Sequence, residues 1–293
     1  MKQINLFLIN AFMVLLFIIS GCESEPVRTV KSFDGVNINF DNEGKGEPAI
    51  ILVHGWSNTR RIWDAQVAHF SKKYQVIAVD LPGFGKSGNN RNEWTIVSYG
   101  EDLSTIIQQL NLKKVVLVGF SLGASVVIEA ANKAPDHVIG VVLVDNLKEV
   151  EMQILPPMEH YIDSMMMDLI NNPTKEKLVG GGFFKKNLDS ASHRVVSMLE
   201  NASHIGWRES LDDYIKWQNE HCTNSIKTVK APIIAINSDW EPTNVKAFRK
   251  YVPTFKANIV EEVGHLIMWD NAEEFNKLLE ESIQEFIREQ WRI

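Results

Sequence analysis

Six short runs dense in Val, Ile and Leu, at residues 49–53, 75–80, 115–119, 140–144, 232–237 and 257–262, punctuate the chain and are separated by stretches of helical period. Runs this apolar leave no face for water, so they predict parallel strands buried between two layers of helices. Residues 29–40, with Asp34-Gly35 at their middle, predict a hairpin ahead of the first run. At the other end, residues 271–290 place Phe275, Leu278, Leu279, Ile283, Phe286 and Ile287 on one helical face. The alternation breaks only over 146–230, which has no good strand but holds helical patches at 158–170, 190–200 and 211–218. The expected organisation is an α/β core over 29–145 and 231–293, with 146–230 as a helical cap.

The extreme N-terminus has another character. Lys2 precedes an apolar run from Leu6 to Ile19, followed by Ser20, Gly21 and Cys22. This predicts a signal peptide over 1–21 and, because Ile19-Ser20-Gly21-Cys22 is similar to a bacterial lipobox, lipid on Cys22 with a linker over 22–28. The protein would then be an exported lipoprotein held at a membrane through Cys22. A plain signal peptide or an uncleaved anchor are the competing readings, although the run is short for a spanning helix. The only other cysteine is Cys222, so no disulfide framework is expected. A net charge of -7 without long runs of like charge speaks against nucleic acid as a partner, and no obligate protein partner is evident.

The sharpest chemical signal is Gly119-Phe120-Ser121-Leu122-Gly123, with an aliphatic run before it and a helical stretch after it. A serine on a tight strand-to-helix turn faces the free N–H groups of a helix start, which favour the negative charge of an attacked acyl group. Ser121 is therefore the candidate nucleophile. Upstream, His54-Gly55-Trp56 follows the run 49–53, and Gly264-His265 follows the last run. Gly83-Phe84-Gly85-Lys86-Ser87-Gly88 matches a dinucleotide fingerprint in letters alone, since Asn89, Asn90, Arg91 and Asn92 follow where a helix should open.

Together with Asp80-Leu81-Pro82-Gly83-Phe84-Gly85-Lys86-Ser87, these motifs in this order resemble the α/β-hydrolase family, in its capped branch of esterases, lactonases and carbon-carbon hydrolases. The resemblance implies eight mostly parallel strands with helices on both faces, a cap between strands six and seven, and no cofactor. It implies His265 as general base, and a second oxyanion N–H from Trp56 beside that of Leu122. His54 is then a structural residue of its turn. For the acid, Asp239 after the run 232–237 is favoured, Asp145 at the end of the run 140–144 is the alternative, and Glu241 is a weaker third. Phe120 stands where His is frequent in the family.

A serine nucleophile disfavours the members that attack with aspartate and points to acyl transfer, with a small ester or related acyl compound as substrate. A lactone or carbon-carbon hydrolase with the same triad, or a ligand-binding member without activity, stays open.

Overall fold

The computed structural model describes residues 28–185, 189–200 and 205–290. The signal peptide, Cys22 and all but the last residue of the linker expected over 22–28 lie outside the described residues.

Eight strands form one sheet: β1 (Thr29–Lys31), β2 (Asn37–Glu43), β3 (Ala49–Val53), β4 (Val76–Val79), β5 (Val115–Phe120), β6 (Val138–Val144), β7 (Ile233–Ser238) and β8 (Lys256–Val260). Their order across the sheet is β1-β2-β4-β3-β5-β6-β7-β8. The first two are antiparallel to their neighbours, as the Asp34-Gly35 hairpin requires, and the other six are parallel.

Because side chains alternate along a strand, the parallel strands feed two separate cores. Ile51, Val53, Leu117 and Leu143 face one layer, where α2 (Ile96–Gln109) and α3 (Leu122–Lys133) pack. Ile50, Leu52, Val116 and Val142 face the other, covered by α1 (Asp64–Phe70) and by α11 (Ala272–Gln290) through Phe275, Leu279, Ile283 and Phe286.

Between β6 and β7 the chain leaves the sheet and forms α4 (Pro156–Asn171), α5 (Lys175–Gly180), α6 (Asp189–Glu200), α7 (Trp207–Glu220) and α8 (Cys222–Thr228). Among the described residues this insertion holds no strand, in line with the sequence. It is bolted to the core by buried polar contacts as well as apolar ones. Trp217 Nε1 donates to Glu129 Oε1 of α3 at 2.7 Å, and Trp207 stacks on Phe84 with ring centroids 5.6 Å apart. Two short helices, α9 (Val245–Arg249) and α10 (Ile267–Asp270), complete the core.

Candidate active site

Three of the sequence-selected residues sit at the carboxyl ends of parallel strands: Ser121 after β5, Asp145 after β6 and Asp239 after β7, with His265 in the loop beyond β8. Ser121 carries φ 52° and ψ -126°, a left-handed position that a side-chain-bearing residue adopts only under strain. The turn is held by Ser121 N donating to Val144 O at 3.0 Å and Ala124 N donating to Ser121 O at 2.8 Å. It closes only because Gly123 and Gly55 leave room for the chain to pass. A Cβ on Gly123 would lie 2.6 Å from His54 O, and one on Gly55 would lie 2.9 Å from the Ser121 Cβ. Both glycines are thus imposed by the approach of the 54–56 loop to the elbow.

The histidine is paired with Asp145. Its Nδ1 lies 2.6 Å from Asp145 Oδ2, and since a carboxylate can only accept, the proton is on Nδ1. The other carboxylate oxygen is saturated: Asp145 Oδ1 accepts from Ser238 N at 2.7 Å, from Ser238 Oγ at 2.8 Å and from Lys148 Nζ at 2.8 Å. Burial acts to raise this carboxyl, but the hydrogen bond and charge of His265, followed by those of Lys148, outweigh it and hold the group at about 2. The imidazole packs between two rings, with Phe120 at 4.6 Å and Phe183 at 5.8 Å between centroids. His265 N donates to Gly182 O at 2.9 Å, so the inserted segment grips the histidine loop directly.

The expectation that Asp239 holds the histidine is corrected. Asp239 Oδ2 accepts from Glu262 N at 3.1 Å and pairs with Lys185 Nζ at 3.3 Å, on the outer side of the loop after β8. The hydrogen bond from Glu262 N, helped by Lys185, lowers its carboxyl against the opposing effect of desolvation. Strand alternation is the reason. Ser238, the last residue of β7, turns toward Asp145, so its successor Asp239 turns away. Glu241 contributes to the cavity wall near the site.

His54 is fully buried and spends both nitrogens on the scaffold, with Nδ1 2.7 Å from Gly55 O and Nε2 accepting from Leu81 N at 3.0 Å. Burial lowers its proton affinity, which suits a neutral ring in that position. The neighbouring Asp80 accepts from Arg60 N at 2.7 Å and Lys86 N at 2.9 Å and pairs with the Arg60 guanidinium. The glycine-rich stretch 83–88 folds back on Asp80 and sets Phe84 against His54 with ring centroids 5.3 Å apart; the next helix, α2, begins only at Ile96. Cys222 is buried, and burial pushes its thiol up to about 12, as expected of an inert cysteine.

A cavity of about 870 Å³ opens over these groups and is lined by Ser121, His265, Trp56 and Leu122. The insertion supplies an apolar side through Ile162, Met165 and Met166 of α4 and Phe183 in the turn after α5. Other aromatic residues of the insertion, Trp207, Trp217 and Phe184, are buried in packing instead. Lys148 and Ser238 carry no motif and were not legible as site residues. What marks them is their contact with Asp145, which only the folded turn reveals.

Comparison with known proteins agrees with this architecture. A family described as alpha/beta hydrolase fold matches residues 48–199. The 2-hydroxy-6-oxononadienedioate/2-hydroxy-6-oxononatrienedioate hydrolase of Burkholderia vietnamiensis is 25% identical over 295 residues, spanning 90% of this chain and 96% of that one. An uncharacterised protein of Mycobacterium tuberculosis is 30% identical over 119 residues, which is 41% of this chain but only 35% of the other. Among solved structures, an esterase from Exiguobacterium antarcticum superposes with a TM-score of 0.76 at 19% identity, covering 88% of this chain and all of that one (100%). A thermophilic esterase from Thermogutta terrifontis gives 0.74 at 20% identity, covering 89% of this chain and 99% of that one. The chain belongs to the alpha/beta hydrolase fold family.

Proposed function

We propose that the protein is a serine hydrolase that cleaves carboxylic esters through an acyl-enzyme, with Ser121 as nucleophile, His265 as general base and Asp145 as the acid that orients it. The observation that carries this reading is the 2.6 Å contact between His265 Nδ1 and Asp145 Oδ2. It leaves Nε2 as the basic nitrogen of a histidine that shares a cavity with the strained Ser121. Ser121 Oγ attacks the carbonyl carbon while Nε2 takes its proton, and the backbone N–H groups of Leu122 and Trp56 receive the developing oxyanion. Collapse expels the alcohol with the proton returned from His265, and water repeats the sequence to release the acid. The test is labelling with a fluorophosphonate together with turnover of p-nitrophenyl esters. Ser121→Ala should lose both, the turnover by roughly 10³-fold or more; a variant that still labels and turns over at the wild-type rate would disprove the mechanism.

Neutral esters are favoured over dioates such as the one named for the Burkholderia relative. The one ammonium among the described lining residues, that of Lys148, is already paired with Asp145, while Glu149 and Glu241 add negative charge to the wall.

We further propose, from Ile19-Ser20-Gly21-Cys22 alone, that the mature chain starts at Cys22 and is anchored to a bacterial membrane by lipid there. Metabolic labelling with a palmitate analogue in a bacterial host should mark the wild type and spare Cys22→Ala. Equal labelling of the two, or none in the wild type, removes the proposal.

A further inference from the structure

Lys148 is three residues past Asp145, and the chain between them turns through two left-handed positions, Asp145 at φ 48° and Leu147 at φ 54°. That turn folds the lysine back onto the carboxylate it follows. Its Nζ lies 2.8 Å from Asp145 Oδ1 and 3.0 Å from Ser238 Oγ, and its side chain is 9% exposed. The backbone is fixed at the same point by Asn244 N, which donates to Lys148 O at 2.7 Å. A lysine buried this deeply is unfavourable unless paired, and here its partner is the carboxylate that also holds the histidine.

Two consequences follow from the geometry. With Oδ1 occupied by Ser238 and Lys148, only Oδ2 is available to His265, which fixes the carboxylate rotamer. The ammonium also opposes the attraction of Asp145 for a protonated imidazole, because it lies one carboxylate away from the ring. Glu149 and Glu241 line the same cavity as the histidine. Behind its loop stand the Asp239–Lys185 pair and Asp270, which accepts from Gly264 N at 2.7 Å. The ring itself packs against Phe120 and Phe183. Of these charges, Lys148 is the one bonded to the acid itself.

We propose that Lys148 is a positioning residue that aims Asp145 at His265 by holding the far oxygen of the carboxylate through its ammonium. This rests on the reading of His265 as general base, and the test separates the two.

The full chain is prepared with Lys148→Met, which keeps the stem and loses the charge, and with Lys148→Arg, which keeps the charge. The Nδ1 proton of His265 is followed by NMR, and kcat and KM are measured for p-nitrophenyl butyrate. In Lys148→Met kcat should fall by roughly tenfold with KM little changed, and the Nδ1 proton signal should move or broaden as the carboxylate loses its aim. Lys148→Arg should restore both to near wild type. An unchanged kcat and Nδ1 signal in Lys148→Met, or equal changes in both variants, would overturn the proposal in favour of simple packing. Should Lys148→Met fail to fold, Lys148→Gln carries the same comparison. If fluorophosphonate does not label Ser121, the hydrolase reading falls, while the Nδ1 proton signal still decides the role of Lys148.

Discussion

Ser238 donates twice to a single oxygen of Asp145, through its backbone N at 2.7 Å and through its hydroxyl at 2.8 Å. The two donors come from β7 and fix a carboxylate that leaves β6, so the acid is held across two neighbouring strands. Removing the hydroxyl in Ser238→Ala leaves the backbone donor and Lys148 in place. We expect kcat to fall by roughly three- to tenfold, the equivalent of one charge-assisted hydrogen bond weakened but not abolished, with thermal stability reduced by less than a few degrees. Steady-state kinetics beside a melting curve checks this, and an unchanged kcat would show that the hydroxyl does not orient the acid.

The two carboxylates at neighbouring strand ends separate by mutation. Asp145→Asn can present its amide to His265 Nδ1 and so favour the wrong tautomer; kcat should drop by a factor on the order of 10³ to 10⁴. Asp239→Asn loses an exposed pair with Lys185, and its kcat should stay within about threefold. The reverse pattern would place the acid after β7.

How much of this was readable in advance depends on which physical demand fixed each residue. Buried parallel strands require aliphatic residues on both faces, so β3 to β7 stand out as uniform runs, whereas β8 at the sheet edge is part-exposed and less uniform; the hairpin before them is marked by Asp34-Gly35. The elbow is legible because a strained Ser121 needs small neighbours within two positions, and His265 because it follows the last run. Nothing local distinguishes Asp145 from Asp239, since both stand just past a buried strand. The choice depends on Ser238 facing Asp145 and on the alternation that turns Asp239 outward. Lys148 is harder still: its return to Asp145 depends on positive φ at Asp145 and Leu147, neither of them a glycine that would flag the turn.

The depressed carboxyl of Asp145 has a stability signature at acid pH. Its folded value of about 2 lies below its ordinary 3.8, so ionised Asp145 stabilises the fold fully above about pH 4. That contribution, on the order of 2 kcal/mol, is lost as pH falls through 2. Denaturation free energies of wild type and Asp145→Asn should therefore converge between pH 4 and pH 2. A parallel offset over that interval would mean the group titrates normally. By the same token, loss of activity above about pH 4 is not protonation of Asp145.

Trp217 couples the inserted helices to α3. Its Nε1 and the Ser225 hydroxyl, at 2.7 Å and 2.5 Å, both donate to Oε1 of Glu129, which is 7% exposed. Trp217→Phe deletes one donor to a buried carboxylate and part of a buried ring. A loss of about 2–4 kcal/mol in unfolding free energy is expected, measured by urea titration. A loss under 0.5 kcal/mol would show that the insertion is held by its apolar contacts alone.

The apolar wall that α4 contributes to the cavity gives the reading of acyl preference. Ile162, Met165 and Met166 line a space of about 870 Å³, ample for an unbranched acyl chain. Each methylene taken into such a pocket is worth about 0.8 kcal/mol, close to fourfold in kcat/KM. Wild type should therefore favour longer chains over acetate until the cavity is filled. Met166→Trp places a larger, stiffer side chain in that space. If it excludes about three methylenes, kcat/KM for the longer p-nitrophenyl esters should fall by roughly fiftyfold while that for the acetate ester changes little, moving the optimum to shorter chains. The measurement is a series of p-nitrophenyl esters from two to twelve carbons on both proteins. An identical profile in a folded Met166→Trp variant would mean that the acyl chain does not run along α4, and that the methionines there serve packing alone.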